Sequence, residues 1–256
     1  RKREKMEERL NNWLIRRGVC SRREADRLIE AGKVLVDNRP ASMGQKVTPG
    51  QKVVCNGRMV RVDKSRKPRP VLLAVNKPRG IVCTTTDKDR AENIVDFLGY
   101  PERIYPVGRL DKDSEGLLLM TNQGDLVNKI MRSGNAHEKE YIVTIDKPVT
   151  EHFLEQMAGG IRLPELDQVT RPCKVKKVER NTFSIILTQG LNRQIRRMCE
   201  VCGCQVRRLV RVRIMNIRLG NLRTGAYRQI TKEEYEELTG LLKDSSSLSL
   251  KERKNR

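Results

Sequence analysis

The chain has 256 residues, room for one large domain or for a small and a larger one. Lysine and arginine outnumber aspartate and glutamate 53 to 32, a formal charge of +21 that favours a polyanionic partner, nucleic acid first. One Trp, three Phe and five Tyr are too few for a surface built mainly from stacked bases, and no apolar run approaches the roughly 20 residues of a membrane span.

The positive excess is spread along the chain. Residues 1–66 carry 18 basic and 8 acidic side chains and the remainder 35 and 24, so both halves are expected to meet the partner. No secretory signal is visible, and seven cysteines, an odd number in a highly charged chain, suit reduced thiols in the cytoplasm. Cys199, Cys202 and Cys204 have metal-like spacing, but His137 and His152 lie far away in sequence. Small buried thiols around a helix end are the better reading, and no metal is expected.

In chain order, residues 9–17 predict a short amphipathic helix with Leu10, Trp13 and Leu14 on one side and Gly18 as its stop. Ser21 and Glu24 have capping-box spacing for a second helix, striped by Ala25, Leu28 and Ile29 and ended by Gly32. Arg23 and Arg27 sit four apart on one face, with Arg16, Arg17 and Arg22 nearby, as phosphate-binding candidates. A solvated charged surface is the plain alternative for such a run. Short strands follow at Val34–Val36 and Lys52–Cys55, with turns at Asp37-Asn38 and Pro49-Gly50.

From Arg9 to Val62 this order resembles the S4 RNA-binding domain, carried by Leu10-Asn11-Asn12-Trp13-Leu14, Cys20-Ser21-Arg22-Arg23-Glu24-Ala25 and Gly32-Lys33-Val34-Leu35-Val36-Asp37. Residues 63–70, polar and bracketed by prolines, read as a linker. A second domain is expected over residues 71–243, and a basic tail over 244–256 reads as disordered. Its strands are placed at 71–75, 104–107, 117–121, 140–145, 173–178, 183–188 and 206–214, and its helices at 124–132, 150–158, 192–202 and from Thr231. Strands outnumber helices without regular alternation, which makes the chain α+β and excludes a doubly wound sheet.

The most informative stretch runs from Gly108 to Gly116, a polar loop with Arg109 and Asp111 between two apolar segments. Asp111, Asp113 and Glu115 imitate a calcium loop, but its twelfth position, which needs a bidentate Glu, is Asn122, and Leu117-Leu118-Leu119 reads as strand. A polar turn held by an Arg109–Asp111 contact is the structural alternative. From Gly190 to Arg213 there are seven arginines, no lysine and one acid, Glu200, a bias that suits fixed bidentate recognition of phosphate or carboxylate. Tyr141 heads a strand.

Asn76-Lys77-Pro78-x-Gly80, Gly108-Arg109-Leu110-Asp111, Lys139-Glu140-Tyr141 and Arg193-Gln194-Ile195-Arg196-Arg197-Met198, in that order, resemble the RNA pseudouridine synthases that modify ribosomal RNA and carry an N-terminal S4 domain. The resemblance implies a catalytic domain on a mixed, mostly antiparallel sheet flanked by helices. It implies an isomerase that detaches uracil at N1 and rejoins it through C5, with neither cofactor nor metal.

By the same resemblance Asp111 is the catalytic carboxylate, Arg196 its ion-pair partner, and Tyr141 the residue that stacks on the base and helps remove the C5 proton. Whether Asp111 attacks the base, attacks C1′ or takes a sugar proton stays open. Arg109 would fill the stack vacated by the uridine, against the alternative of a phosphate or Asp113 contact. Arg193 and Arg197 join Arg16, Arg22, Arg23 and Arg27 as RNA contacts, and Lys77 is placed at the pocket edge, structural or touching phosphate. The implied substrate is a uridine of large-subunit rRNA, with a tRNA uridine as a second target. A non-catalytic RNA-binding or ribosome-assembly factor, or another RNA-modifying enzyme sharing only the N-terminal domain, are the competing readings. No heptad pattern calls for a protein partner, so a monomer is expected.

Overall fold

The computed structural model describes residues 7–60, 69–84, 91–132 and 135–245. Most of the expected linker and all of the tail beyond Ser245 lie outside these residues. The chain divides into two compact units, Arg1–Arg69 and Pro70–Arg256.

The first unit contains β1 (Glu8–Arg9), α1 (Leu10–Arg16), α2 (Arg22–Glu30), β2 (Val34–Val36), β3 (Arg39–Pro40), β4 (Lys46–Val47), β5 (Val53–Cys55) and β6 (Arg58–Met59). Strands β3-β2-β5-β6 form one antiparallel sheet, and β1 pairs with β4. Leu10, Trp13 and Leu14 of α1 meet Ala25, Leu28 and Ile29 of α2 over Val34, Val36, Val53 and Cys55. The β2–β3 turn is tight because Asp37 and Asn38 both take positive φ (50° and 65°), the geometry whose twist matches a two-residue hairpin. Ser21 Oγ accepts from the Glu24 amide at 3.2 Å, while the Glu24 carboxylate turns to Arg27 at 3.5 Å.

The second unit contains β7 (Leu72–Lys77), α3 (Ile94–Leu98), β8 (Tyr105–Pro106), β9 (Glu115–Thr121), α4 (Gly124–Met131), β10 (Lys139–Ile145), α5 (Glu151–Gly159), β11 (Arg162–Leu163) and β12 (Gln168–Val169). It continues with β13 (Lys174–Glu179), β14 (Thr182–Leu187), α6 (Gln194–Val201), β15 (Val206–Ile214), β16 (Ile217–Arg218), β17 (Tyr227–Gln229) and α7 (Lys232–Leu241). Its main sheet runs β13-β14-β10-β15-β9-β7-β17, with β16 on β15 and β8 on β9. Only β9 and β15 pair in parallel within it, so the sheet is mixed and mostly antiparallel, and the molecule is α+β.

Alternation decides which side each strand residue serves. Leu72, Ala74, Leu117 and Leu119 pack with α4 and α7 on one face, while Leu73, Val75, Leu118 and Met120 pack with Ile94 and Leu110 on the other. Each fully buried Leu, Val, Ile or Met among them contributes about 1.5–3 kcal/mol. Under α5 and α6, Val143, Phe183 and Ile185 meet Phe153, Met157, Ile195 and Met198. This second face is the one over which the loops bearing the sequence motifs gather.

Candidate active site

Strand β8 delivers the chain to Val107, which is buried, and β9 takes it up again at Glu115. The loop between them is braced from below. Ser114 N donates to Asp111 O (3.0 Å), closing the turn, and Gly80 N donates to Lys112 O (2.8 Å), tying the turn after β7 to it. Leu110 N donates to Cys83 Sγ at 3.3 Å. At the loop's exit Gly116 has φ +103°, and a Cβ there would collide with the main chain of Arg211, which pairs with it from β15.

Lys77 is completely buried, so the phosphate contact considered for it from sequence does not hold. Its ammonium donates to the carbonyls of Pro78 (2.8 Å) and Lys112 (3.5 Å), which makes it a brace of the loop's floor. Burial lowers its pKa, opposed by the charges of Cys83, Asp113, Glu115 and Asp111.

The acidic loop is met by arginines from the segment leading into α6. Arg193, in left-handed conformation (φ 50°, ψ 35°) just before the helix, donates from Nη1 and Nη2 to the two oxygens of Asp113 at 3.1 and 3.0 Å. The same Nη1 stands 3.4 Å from Asp111 Oδ2. This fork is a charge-assisted, two-pronged contact. It holds the Asp113 carboxyl below the usual range, against the opposing effect of burial, and raises Arg193 in turn.

The ion pair expected between Arg196 and Asp111 is replaced by this one. Arg196, further into the helix and nearly buried, donates from Nη2 to Asp113 O (3.0 Å) and Ser114 Oγ (3.1 Å), and its Nη1 lies 3.5 Å from Asp113 Oδ2. The reason is backbone geometry: the left-handed turn at Arg193 throws that side chain over the loop, while Arg196 points into its base. Burial lowers Arg196, an effect that Asp113 opposes.

An open cavity of about 510 Å³ is lined by Arg79, Gly80, Asp111, Lys112, Asp113 and Arg193. Arg79 is held across it, donating to Asp113 O (3.3 Å) and Arg207 O (3.1 Å). Arg109 is exposed, with no hydrogen bond or ion pair among the described residues, so the Arg109–Asp111 turn contact is not formed. Tyr141 is half-buried on β10, opposite Ile185 and Arg211, with its ring against the core beneath α6. It does not line the cavity.

Arg197 is engaged within the protein, donating to Asn192 O and Asn192 Oδ1 (both 2.9 Å) and pairing with Glu165. In the first unit Arg16 pairs with Glu8 at 2.7 Å, Arg17 lies over Trp13 with its guanidinium 3.8 Å from a ring centroid, and Arg22 and Arg23 are exposed. Sequence reading missed Asp113 and Arg79 as members of the site. Asp113 carried a signal, standing two residues from Asp111, but its acidic neighbours drew attention only as a calcium-loop imitation.

Residues 71–201 match the model of the RNA pseudouridylate synthase family, and residues 8–53 match that of the S4 domain. The chain belongs to the RNA pseudouridine synthase family. This synthase is 51% identical over 239 residues to the dual-specificity RNA pseudouridine synthase RluF of Escherichia coli (strain K12), covering 93% of this chain and 81% of that protein. It is 35% identical over 242 residues to the ribosomal large subunit pseudouridine synthase B of Bacillus subtilis (strain 168), covering 91% and 96%. A crystal structure of a pseudouridylate synthase superposes on the synthase with a TM-score of 0.66 at 26% identity, over 90% of this chain and 99% of the other. The synthase is therefore an isomerase acting on uridine in RNA. No helix among its described residues is long and apolar enough to cross a membrane.

Proposed function

We propose that this synthase converts one uridine of large-subunit ribosomal RNA to pseudouridine, with a tRNA uridine as a second target, and that Asp111 performs the chemistry. The observation that carries the reading is the placement of Asp111 in an open cavity with a guanidinium 3.4 Å from its carboxylate. A guanidinium at that distance restrains where the Asp111 carboxylate points within the cavity. The named activities of RluF and of synthase B support the choice of RNA.

Extracting a uridine from its stack costs a few kcal/mol, and Arg109, exposed at the loop's entry, is free to fill the vacancy. Tyr141 supplies the stacking surface and takes part in removing the C5 proton. Arg193 positions Asp111, and Arg196 fixes the loop that carries it. Arg16, Arg22, Arg23 and Arg27 of an RNA-binding domain over residues 9–62, joined by a linker at 63–70 to the catalytic domain at 71–243, contact phosphates. The enzyme works as a monomer in the cytoplasm, where its seven cysteine thiols stay reduced.

Tritium release from RNA carrying C5-labelled uridine tests the reading. Asp111→Asn is expected to abolish release and leave RNA affinity nearly unchanged. Tight binding of rRNA and tRNA transcripts by the unaltered protein without any release would sink the assignment of substrate, and a collapse of affinity in Asp111→Asn would make that residue structural.

A further inference from the structure

On β15 two neighbouring arginines are treated differently. The pairing of Glu140 with Arg213 and of Tyr141 with Arg211 skips Val212, a bulge that turns the two guanidinium groups to opposite faces. On one face Arg213 is neutralised by Glu138 (3.1 Å) and Glu140 (3.3 Å). On the other, Arg211 shares the face of its cross-strand partner Tyr141, and Lys139, two residues before Tyr141 in the unbroken register with β14, shares it too.

Neither cation on this second face has a carboxylate partner among the described residues. Arg211 is 3% exposed; its Nε donates to Leu117 O (2.7 Å), and its Nη2 is buried with no hydrogen-bond partner. Lys139 makes no hydrogen bond or ion pair there. Burial, with the Arg211 charge beside it, lowers the Lys139 ammonium to about 8. The charge of Arg211 also reaches the Cys83 thiol, which holds the amide of Leu110, the residue before Asp111. A buried guanidinium and a half-buried ammonium with no anion beside them cost stability, a cost that an anionic occupant would offset.

We propose that Lys139 and Arg211 form a subsite for the uracil anion that exists between bond cleavage and bond formation. The inference rests on the isomerase reading above. When the C1′–N1 bond breaks, its electron pair leaves with the base, and the negative charge spreads over the ring and its two carbonyl oxygens. Rejoining C5 to C1′ is followed by loss of the C5 proton and gain of one at N1, so atoms and electrons balance without an oxidant or reductant. Fixed cations aimed at a charge that develops only during reaction lower the barrier and leave ground-state binding little changed.

Arg211 on β15 and His137 ahead of β10 are the titratable neighbours of Lys139, and Glu138 and Glu140 are occupied by Arg213. The single-turnover rate of the wild type, with RNA saturating, is therefore expected to fall as pH rises through about 8 and the ammonium loses its proton. Lys139→Arg, which stays charged, should keep the rate level through that window. Lys139→Met should lower the rate roughly 100-fold with RNA affinity retained. Its deficit in the rate of C1′–N1 cleavage should shrink on RNA carrying 5-fluorouridine, whose base leaves more easily, although without a C5 proton it cannot go on to the isomerised product.

Three results would overturn the subsite. Weaker RNA binding by Lys139→Met with an unchanged saturated rate would make the anion a backbone phosphate. Equal deficits on both substrates would make Lys139 structural, as would an alkaline limb that persists in Lys139→Arg. A wild-type enzyme inert on uridine RNA would instead strike the isomerase reading itself.

Discussion

Asp113 does not enter the proposed chemistry, yet it governs how Asp111 is met. By taking both prongs of Arg193, it fixes that guanidinium in the one orientation that leaves Nη1 beside Asp111. Asp113→Ala should release Arg193 into the open cavity and lower the saturated tritium-release rate about 10- to 100-fold, with RNA affinity retained. Because Arg193 holds the Asp113 carboxyl below its ordinary value, the clamp is complete above that value and is lost only as acid reaches the lowered one. Acidification to about pH 4 should therefore leave the clamp formed. A wild-type rate matched by Asp113→Ala would show that Arg193 needs no anchor. The sequence made Asp111 and the arginine-rich turn legible, because residue type and order carry them. It could not say which arginine reaches the carboxylate, since that depends on a left-handed backbone at a non-glycine residue. Nor could it show that Lys77 lies wholly inside, because burial of an ammonium is decided by two carbonyls that approach it from different segments.

Among the elements, α7 shows how a local signal becomes stability. Thr231 Oγ1 accepts from Glu234 N (3.1 Å) while the Glu234 carboxylate accepts from Thr231 N (3.0 Å), the reciprocal cap anticipated from spacing alone. Glu234 also receives both prongs of Arg228, in the middle of β17, at 2.6 and 2.8 Å. These interactions hold its pKa at about 2. Thr231→Ala should cost about 1 kcal/mol. Glu234→Gln should lower the melting temperature at neutral pH, by an amount consistent with about 1 kcal/mol once partial exposure of both groups is allowed for. The depressed value fixes the direction: the ion pair stabilises above about pH 4.5 and is lost as pH falls towards 2. Wild type and Glu234→Gln should thus converge in melting temperature under acid, and a gap that persists there would point to packing instead. Capped helices and long apolar strands were legible for this reason, their information being local. The five-residue α3 and the three-residue β17 escaped because neither is long enough to show a period, and β17 exists only by pairing with β7.

At the scale of the whole molecule, charge is shared between two units that fold around separate cores. On the proposed reading, a net charge of +21 spread in this way makes affinity a sum of phosphate interactions, while the proposed catalytic residues all lie in the second unit. Arg22 and Arg23 are exposed on α2, and Arg27 is restrained only by a 3.5 Å ion pair with Glu24 on the same helix. Exposed pairs of that kind contribute little, so all three side chains can turn to RNA at small cost. Replacing the three with alanine should leave the second unit's core and the Asp111–Arg193–Asp113 cluster untouched. The variant should bind RNA more weakly at every salt concentration, and the slope of log affinity against log salt should shrink by about 0.7–0.9 for each phosphate that is no longer neutralised. With RNA saturating, its tritium-release rate should equal that of the wild type. An unchanged slope would return these arginines to the solvated surface from which the sequence alone could not distinguish them, and a lowered saturated rate would show that the first unit also shapes the reacting site.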